Sequence, residues 1–224
     1  MNIASYIDHT FLKPNTTYID IKKICEEAMQ YGFAAVCIPP PLVKEAKNIL
    51  TGSMVRVATV IGFPFGYSVI KAKLTETEQA IADGSDELDI VINLIALKNG
   101  SWSYLETEMQ QVTGLAHANN KLVKVIIESG LLTDEEIIKC CEVYSKIEVD
   151  FLKTSTGYAE KGATVEAVQL MRKNLPVSIK IKASGGIRTY EFARQLIDAG
   201  AARLGCSASV AIVMGAPVNQ AIGY

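Results

Sequence analysis

Eight short apolar runs, each followed by an amphipathic stretch, constrain this chain more than any other feature. The runs span 6–12, 34–39, 55–63, 87–93, 121–129, 150–156, 177–184 and 202–207. Several are nearly continuous in Val, Ile and Leu, the pattern of parallel strands covered on both faces. Segments 17–31, 71–83, 103–119, 134–146, 164–174 and 189–199 read as helices, with a shorter one after Pro41. Their ends carry chemical marks. Segment 17–31 opens near Thr16 or Thr17, Thr133-Asp134-Glu135-Glu136 is a capping box, and Gly32, Gly84 and Gly200 stand where helices stop.

Eight units in 224 residues leave about 28 residues each, close to the minimum for a strand and its crossover helix. The expected fold is therefore α/β, a single-domain (β/α)8 TIM barrel over residues 1–224. A doubly wound open sheet is the rival. It would want a glycine-rich nucleotide turn after the first strand, and Phe11-Leu12-Lys13-Pro14-Asn15 is not one.

Charge and cysteine usage narrow the function. A net charge of -2 gives no field that would draw nucleic acid or an acidic membrane. No apolar stretch approaches membrane-spanning length, and the start, MNIASYIDHT, lacks the basic-then-apolar order of a signal peptide. The 5 cysteines, Cys25, Cys37, Cys140, Cys141 and Cys206, fit neither a disulfide framework nor a zinc cluster. A reducing cytoplasm is the expected setting. With His9 and His117 the only histidines, no metal is expected in the site.

Active groups of a barrel sit at the C-terminal ends of its strands. In Asp150-Phe151-Leu152-Lys153-Thr154-Ser155-Thr156-Gly157, a period of two puts Phe151, Lys153 and Ser155 on one face. If that face is the interior, Lys153 loses water, which favours the neutral and nucleophilic amine. In Lys180-Ile181-Lys182-Ala183-Ser184-Gly185-Gly186 both lysines share a face, and Lys182 lies nearer the strand end. A cation there would lower the pKa of Lys153 further. In Glu87-Leu88-Asp89-Ile90-Val91-Ile92-Asn93, the residues Glu87, Asp89, Val91 and Asn93 share a face. Asp89 beside Lys182 would make a proton-transfer pair, and Glu87 is expected to meet Lys180 one layer down.

An anion site is expected where the last two strands end. Ser184, Gly185 and Gly186 form one turn, and Gly205, Cys206 and Ser207 another, the latter leading into a short helix. Asp8, Thr10, Cys37 and Thr156 are expected to line the pocket. His117 reads as a helix-surface residue and Tyr224 as a frayed end.

Taken together, DHT-x-LK (8–13), Val36-Cys37, ATVIGFPFG (58–66), ELDIVIN (87–93), KVIIE (124–128), DFLKTSTG (150–157), KASGGIR (182–188) and Gly205-Cys206-Ser207 resemble the deoxyribose-phosphate aldolases. The resemblance runs from about Tyr6 to Ser209. It implies a class I aldolase that reversibly cleaves 2-deoxy-D-ribose 5-phosphate to glyceraldehyde 3-phosphate and acetaldehyde. It assigns the Schiff base to Lys153, proton donation and acceptance to Lys182, and a proton relay to Asp89. No cofactor is implied, since the lysine is the electron sink. Members often form dimers, so a homodimer is an expectation, although no surface in the sequence declares one. Ala208, Lys180, Leu94-Ile95 and Tyr158-Ala159-Glu160-Lys161 depart from the usual pattern. A transaldolase-like barrel would instead transfer a dihydroxyacetone unit, and an inactive sugar-phosphate-binding barrel would form no imine.

Overall fold

The computed structural model describes residues 2–215. Eight strands close into a parallel barrel in sequence order: β1 (Ile7–Thr10), β2 (Ala35–Ile38), β3 (Arg56–Ile61), β4 (Glu87–Val91), β5 (Leu122–Ile126), β6 (Phe151–Lys153), β7 (Lys180–Ser184) and β8 (Arg203–Cys206). β1 pairs with β8 to complete the ring. Helices α1 (Tyr18–Tyr31), α2 (Val43–Ile49), α3 (Ile70–Ala82), α4 (Leu94–Lys98), α5 (Trp102–Ala118), α6 (Asp134–Ile147), α7 (Val165–Asn174), α8 (Tyr190–Asp198) and α9 (Ser209–Met214) connect the strands or follow the last. The expected (β/α)8 TIM barrel is the fold.

Local chemistry sets the helix ends. Thr17 and Asp20 form a capping box at α1, and Thr133 and Glu136 form the expected one at α6. Gly32 ends α1 in the left-handed region, with φ of 69°. Helix α4 was not expected. Alternation groups Asn93 with Glu87, Asp89 and Val91 on one strand face, but its side chain accepts from Ala96 N–H and caps α4 instead. Asn and Asp compete with a ladder by bonding nearby backbone, and here that bond ends the strand.

The main core lies between the strands' outer faces and the helices. Leu88, Ile90, Val125, Leu152, Ile181 and Leu204 are all fully buried there. A buried ion pair stiffens the wall behind β4. Lys73 Nζ lies 2.7 Å from both Glu108 Oε1 and Val91 O, and Glu108 Oε2 accepts from Asn93 N–H. This clamp fixes where β4 ends.

The inside of the barrel is divided. Ala35, Cys37, Ala58 and Val60, on β2 and β3, make a small apolar cluster with Leu12 and Phe63. Their short side chains leave room for long ones from the opposite wall. That wall carries charge.

Gly66 shows how tightly the C-terminal face is packed. Its φ is 71°, and a Cβ there would fall 1.8 Å from Ile92 O. Gly66→Ala is expected to cost about 3 kcal/mol of unfolding free energy, since backbone must move on both sides. Urea denaturation measures this, and a loss below about 1 kcal/mol would contradict the packing described.

Candidate active site

Parallel pairing puts Lys153 beside Lys182, and Lys182 beside Arg203. Asp89 pairs with Lys124 on β5, and Ile126 with Lys153. Their side chains meet in the barrel's centre. Asp89 Oδ2 accepts from Lys153 Nζ and Lys182 Nζ, each at 2.7 Å, while Asp89 Oδ1 accepts from Lys124 Nζ at 2.7 Å. Lys182 Nζ also donates to Asp8 Oδ2 at 2.5 Å. Arg203 donates to the other Asp8 oxygen and, at 2.9 Å, to Glu87 Oε1. Lys124 stands 2.6 Å from Glu87 Oε2. Lys153, Lys182 and Asp89, expected as a trio, are thus brought into direct contact.

Charge counting identifies the odd member. Four inner cations, Lys124, Lys153, Lys182 and Arg203, share the carboxylates of Asp8, Glu87 and Asp89. Lys124 and Lys182 each touch two of those acids closely. Among the described residues Lys153 touches only Asp89, which is already shared with two other lysines. Burial pushes the Lys153 pKa down, Asp89 opposes this, and repulsion from Lys182 adds to it, so the net shift is downward. Burial works against charge on Lys182 as well, but Asp8 and Asp89 outweigh it and hold Lys182 well above the ordinary value. Lys124 is likewise raised, by Asp89 and Glu87 against its burial. Burial would raise the Asp89 pKa, yet Lys124, Lys153 and Lys182 bring it well below the carboxylate range. The site therefore holds a charged Lys182, an ionised Asp89 and an amine, Lys153, primed to lose its proton.

Other expected residues land as follows. Asp8 lies on β1, inside the barrel. It is fully buried and ion-paired to Lys182 and Arg203. Thr10 lies inside the barrel, its hydroxyl donating to Asp8 O. Cys37 is fully buried, its Sγ 4.0 Å from Asp89 Oδ2. Burial raises its pKa and favours the thiol. Thr156 is buried and donates its hydroxyl to Glu128.

The proposed anion turns also differ in detail. Ser184 donates its hydroxyl to Ser155 O at 2.6 Å, and its N–H goes to Thr154 Oγ1. Its polar groups thus brace β6, and Gly185 and Gly186, both with positive φ, carry the turn. Gly205 is glycine for room, since a Cβ there would lie 2.9 Å from the Ser184 Cβ and 3.2 Å from the Lys182 Cε. Ser207 follows it, half-buried at the same face. Tyr224 lies outside the described residues.

One pairing is corrected. Glu87 meets Lys124, Arg203 and Arg56, not Lys180. Lys180 is exposed at the start of β7, its Nζ 5.7 Å from the Phe151 ring centre. Counting residues back from each strand end ignores the stagger of a tilted barrel, which lifts Glu87 to the level of Lys124 and Arg203. Lys124, the Arg203 side chain and Glu128 were not foreseen. Lys124-Val125-Ile126 carried the same period-of-two signal that singled out Lys153.

Among the described residues no three His, Cys, Asp or Glu side chains are grouped to hold a metal ion. The three inner acids face lysines and arginine instead.

The protein is a (β/α)8 barrel with Lys124, Lys153 and Lys182 buried inside it and Lys153 at the C-terminal end of β6, the end where barrel enzymes carry their active groups. The sequence model of the DeoC/LacD family aldolases matches residues 2–218. The chain belongs to that family. It is 52% identical over 218 residues to a deoxyribose-phosphate aldolase of Thermococcus gammatolerans, covering 96% of this chain and 97% of the relative. A deoxyribose-phosphate aldolase of Caldicellulosiruptor saccharolyticus is 50% identical, over 94% of this chain and 96% of its own. The solved tetrameric deoxyribose phosphate aldolase of Aeropyrum pernix superposes with a TM-score of 0.89 at 30% identity, covering 95% of this chain and 89% of that one.

Proposed function

We infer that this protein is a class I aldolase that reversibly cleaves 2-deoxy-D-ribose 5-phosphate into glyceraldehyde 3-phosphate and acetaldehyde. The observation that carries the reading is the excess of inner cations over acids, which leaves Lys153 the one amine free to become neutral. Neutral Lys153 attacks the C1 aldehyde of the open-chain sugar. Charged Lys182 gives a proton to the departing hydroxyl, water leaves, and an iminium forms. With the C3 hydroxyl deprotonated through the Asp89–Lys182 pair, the C2–C3 bond breaks. Its electron pair moves onto C2 as an enamine, and C3 leaves as the aldehyde of glyceraldehyde 3-phosphate. Protonation of C2 and hydrolysis of the imine then release acetaldehyde.

In this reading the phosphate rests on the turns at Gly185, Gly186, Gly205 and Ser207, with Ser184 as their brace. Thr10, Cys37 and Thr156 shape the pocket, and Asp8 holds Lys182 in place. One barrel domain performs the whole reaction. The proposed setting is the cytoplasm. In support, all the cysteines are free thiols, and no helix among the described residues is long and apolar enough to cross a membrane.

The test is release of glyceraldehyde 3-phosphate from the phosphosugar with a chelator present, together with borohydride trapping of acetaldehyde. An adduct on Lys153 is expected, and one on another lysine would defeat the reading. The pH dependence has a definite sign. A lowered pKa keeps Lys153 neutral at pH values where an ordinary lysine is protonated. The acid limb of the trapping rate should therefore lie below the 10.5 of an unperturbed lysine. A limb at or above that value would contradict the proposed environment.

A further inference from the structure

The site leaves one buried acid unexplained. Glu128 follows β5, 2% exposed, with a left-handed φ of 54°. Among the described residues no cation lies within ion-pair distance of it. Among the described residues its carboxylate is held by Thr156, whose N–H reaches both carboxylate oxygens at 3.2 Å and whose hydroxyl donates to Oε2. A non-glycine residue in that conformation is held there by its surroundings. Glu128 thus serves as an anchor, and its load is the loop after β6.

That loop crosses the barrel. Thr156 Oγ1 accepts from Tyr158 N–H at 3.1 Å, fixing the start of the Tyr158 side chain. The Tyr158 hydroxyl then donates to Leu12 O at 2.8 Å, in the loop after β1. Its ring meets Phe63, in the loop after β3, edge-on at 5.4 Å between centres. In the ring of strands β6 stands opposite β1–β3. Tyr158 therefore spans the mouth and lands on the apolar half of the interior, where Leu12 and Phe63 join Ala35, Cys37, Ala58 and Val60. Leu12, Phe63 and Val60 also line a cavity of about 150 Å³ with Pro39, Pro40 and Glu76 at that edge.

We propose that Tyr158 is a specificity-determining residue, a strap over the apolar half of the mouth held by the positioning residues Glu128 and Thr156, which excludes aldehydes with bulky apolar groups. The proposal rests on the aldolase reading and concerns which aldehydes the same lysine admits. Small polar aldehydes reach Lys153 along the charged wall beside the glycine turns. A bulky apolar aldehyde needs the space over Leu12, Phe63 and Val60, and the bridge occupies that space.

The test compares two acceptors for acetaldehyde addition, 3-phenylpropanal and glyceraldehyde 3-phosphate, as the ratio of their kcat/KM values. In Tyr158→Ala the ratio is expected to rise about tenfold in favour of 3-phenylpropanal, the scale at which pocket shape discriminates apolar groups. Tyr158→Phe keeps the ring but loses the bond to Leu12 O, and should raise the ratio by a smaller factor. Glu128→Ala should move the ratio as Tyr158→Ala does. Glu128→Gln, which keeps an acceptor oxygen for Thr156, should restore it. An unmoved ratio in Tyr158→Phe and Tyr158→Ala overturns the proposal, as does a rise in Glu128→Gln equal to that in Glu128→Ala. If Tyr158→Ala does not fold, Tyr158→Phe decides alone. A wild-type protein that releases no glyceraldehyde 3-phosphate from the phosphosugar overturns the aldolase reading and the strap together. Normal release with an unmoved ratio removes only the strap.

Discussion

Lys153→Met should leave a folded barrel with essentially no aldolase activity, kcat falling on the order of 10⁴-fold or more, as when a covalent nucleophile is removed. No neighbour can substitute. Lys182 touches Asp8 and Asp89, is held charged by them, and is no nucleophile in that state. Lys124 is held charged by Asp89 and Glu87. The stability outcome is less obvious and more diagnostic. Most buried ion pairs are costly to break, because the partner is left unpaired. Here the deleted amine is the surplus one, and Asp89 keeps Lys124 and Lys182 after its loss. Methionine also fills similar volume without a charge to desolvate. Lys153→Met is therefore expected to melt at or above the wild-type temperature. A fall of more than about 3 °C, or roughly 1 kcal/mol for a domain of this size, would show that Lys153 is charged and needed in the resting barrel.

Asp89→Asn should behave in the opposite way, losing both stability and turnover. Three lysines meet this one carboxylate, and the amide cannot neutralise them. Lys124 and Lys182 retain Glu87 and Asp8, whereas Lys153 retains no acid within ion-pair distance among the described residues. The expected loss is about 3–5 kcal/mol, typical of removing one partner from a buried pair. Turnover should drop by roughly 10²–10⁴-fold for want of proton transfer. The pH profile separates these effects. Asp89 is the group that most opposes the downward shift of Lys153, so its removal lets the amine deprotonate at still lower pH. Borohydride trapping should thus extend to lower pH in Asp89→Asn even as catalysis fails. If the trapping limb moved upward, Asp89 would not be the group that holds Lys153's proton on.

The contrast between those two substitutions could be read only partly from the sequence. Periodicity was enough for the barrel, because parallel strands buried on both faces leave long apolar runs and the helices between them carry their own caps. For Lys153, Lys182 and Asp89 alternation marked which residues share a face, while the family resemblance singled those three out. Alternation gives the face of a residue but not its height in a staggered ring. Glu87 was therefore matched to Lys180, while its true neighbours were Lys124 on the adjacent β5 and Arg203 on β8, across the barrel. Local backbone chemistry hid the rest. Asn93 left the ladder to cap α4, and Glu128 left it through a positive φ, so neither obeyed the period that its strand had set.

The two unlike walls of the interior have a consequence of their own. Ala35, Ala58 and Val60 present only hydrocarbon, and Cys37 adds no more than a weakly polar thiol, while the opposite side presents fixed ammonium, guanidinium and carboxylate groups. A carbonyl entering this bore meets a transverse electric gradient before any bond forms. Its oxygen is drawn toward the ionic side and its alkyl end toward the inert one. Which face of the aldehyde meets the amine is thereby biased by the medium itself, ahead of any grip on a distant phosphate.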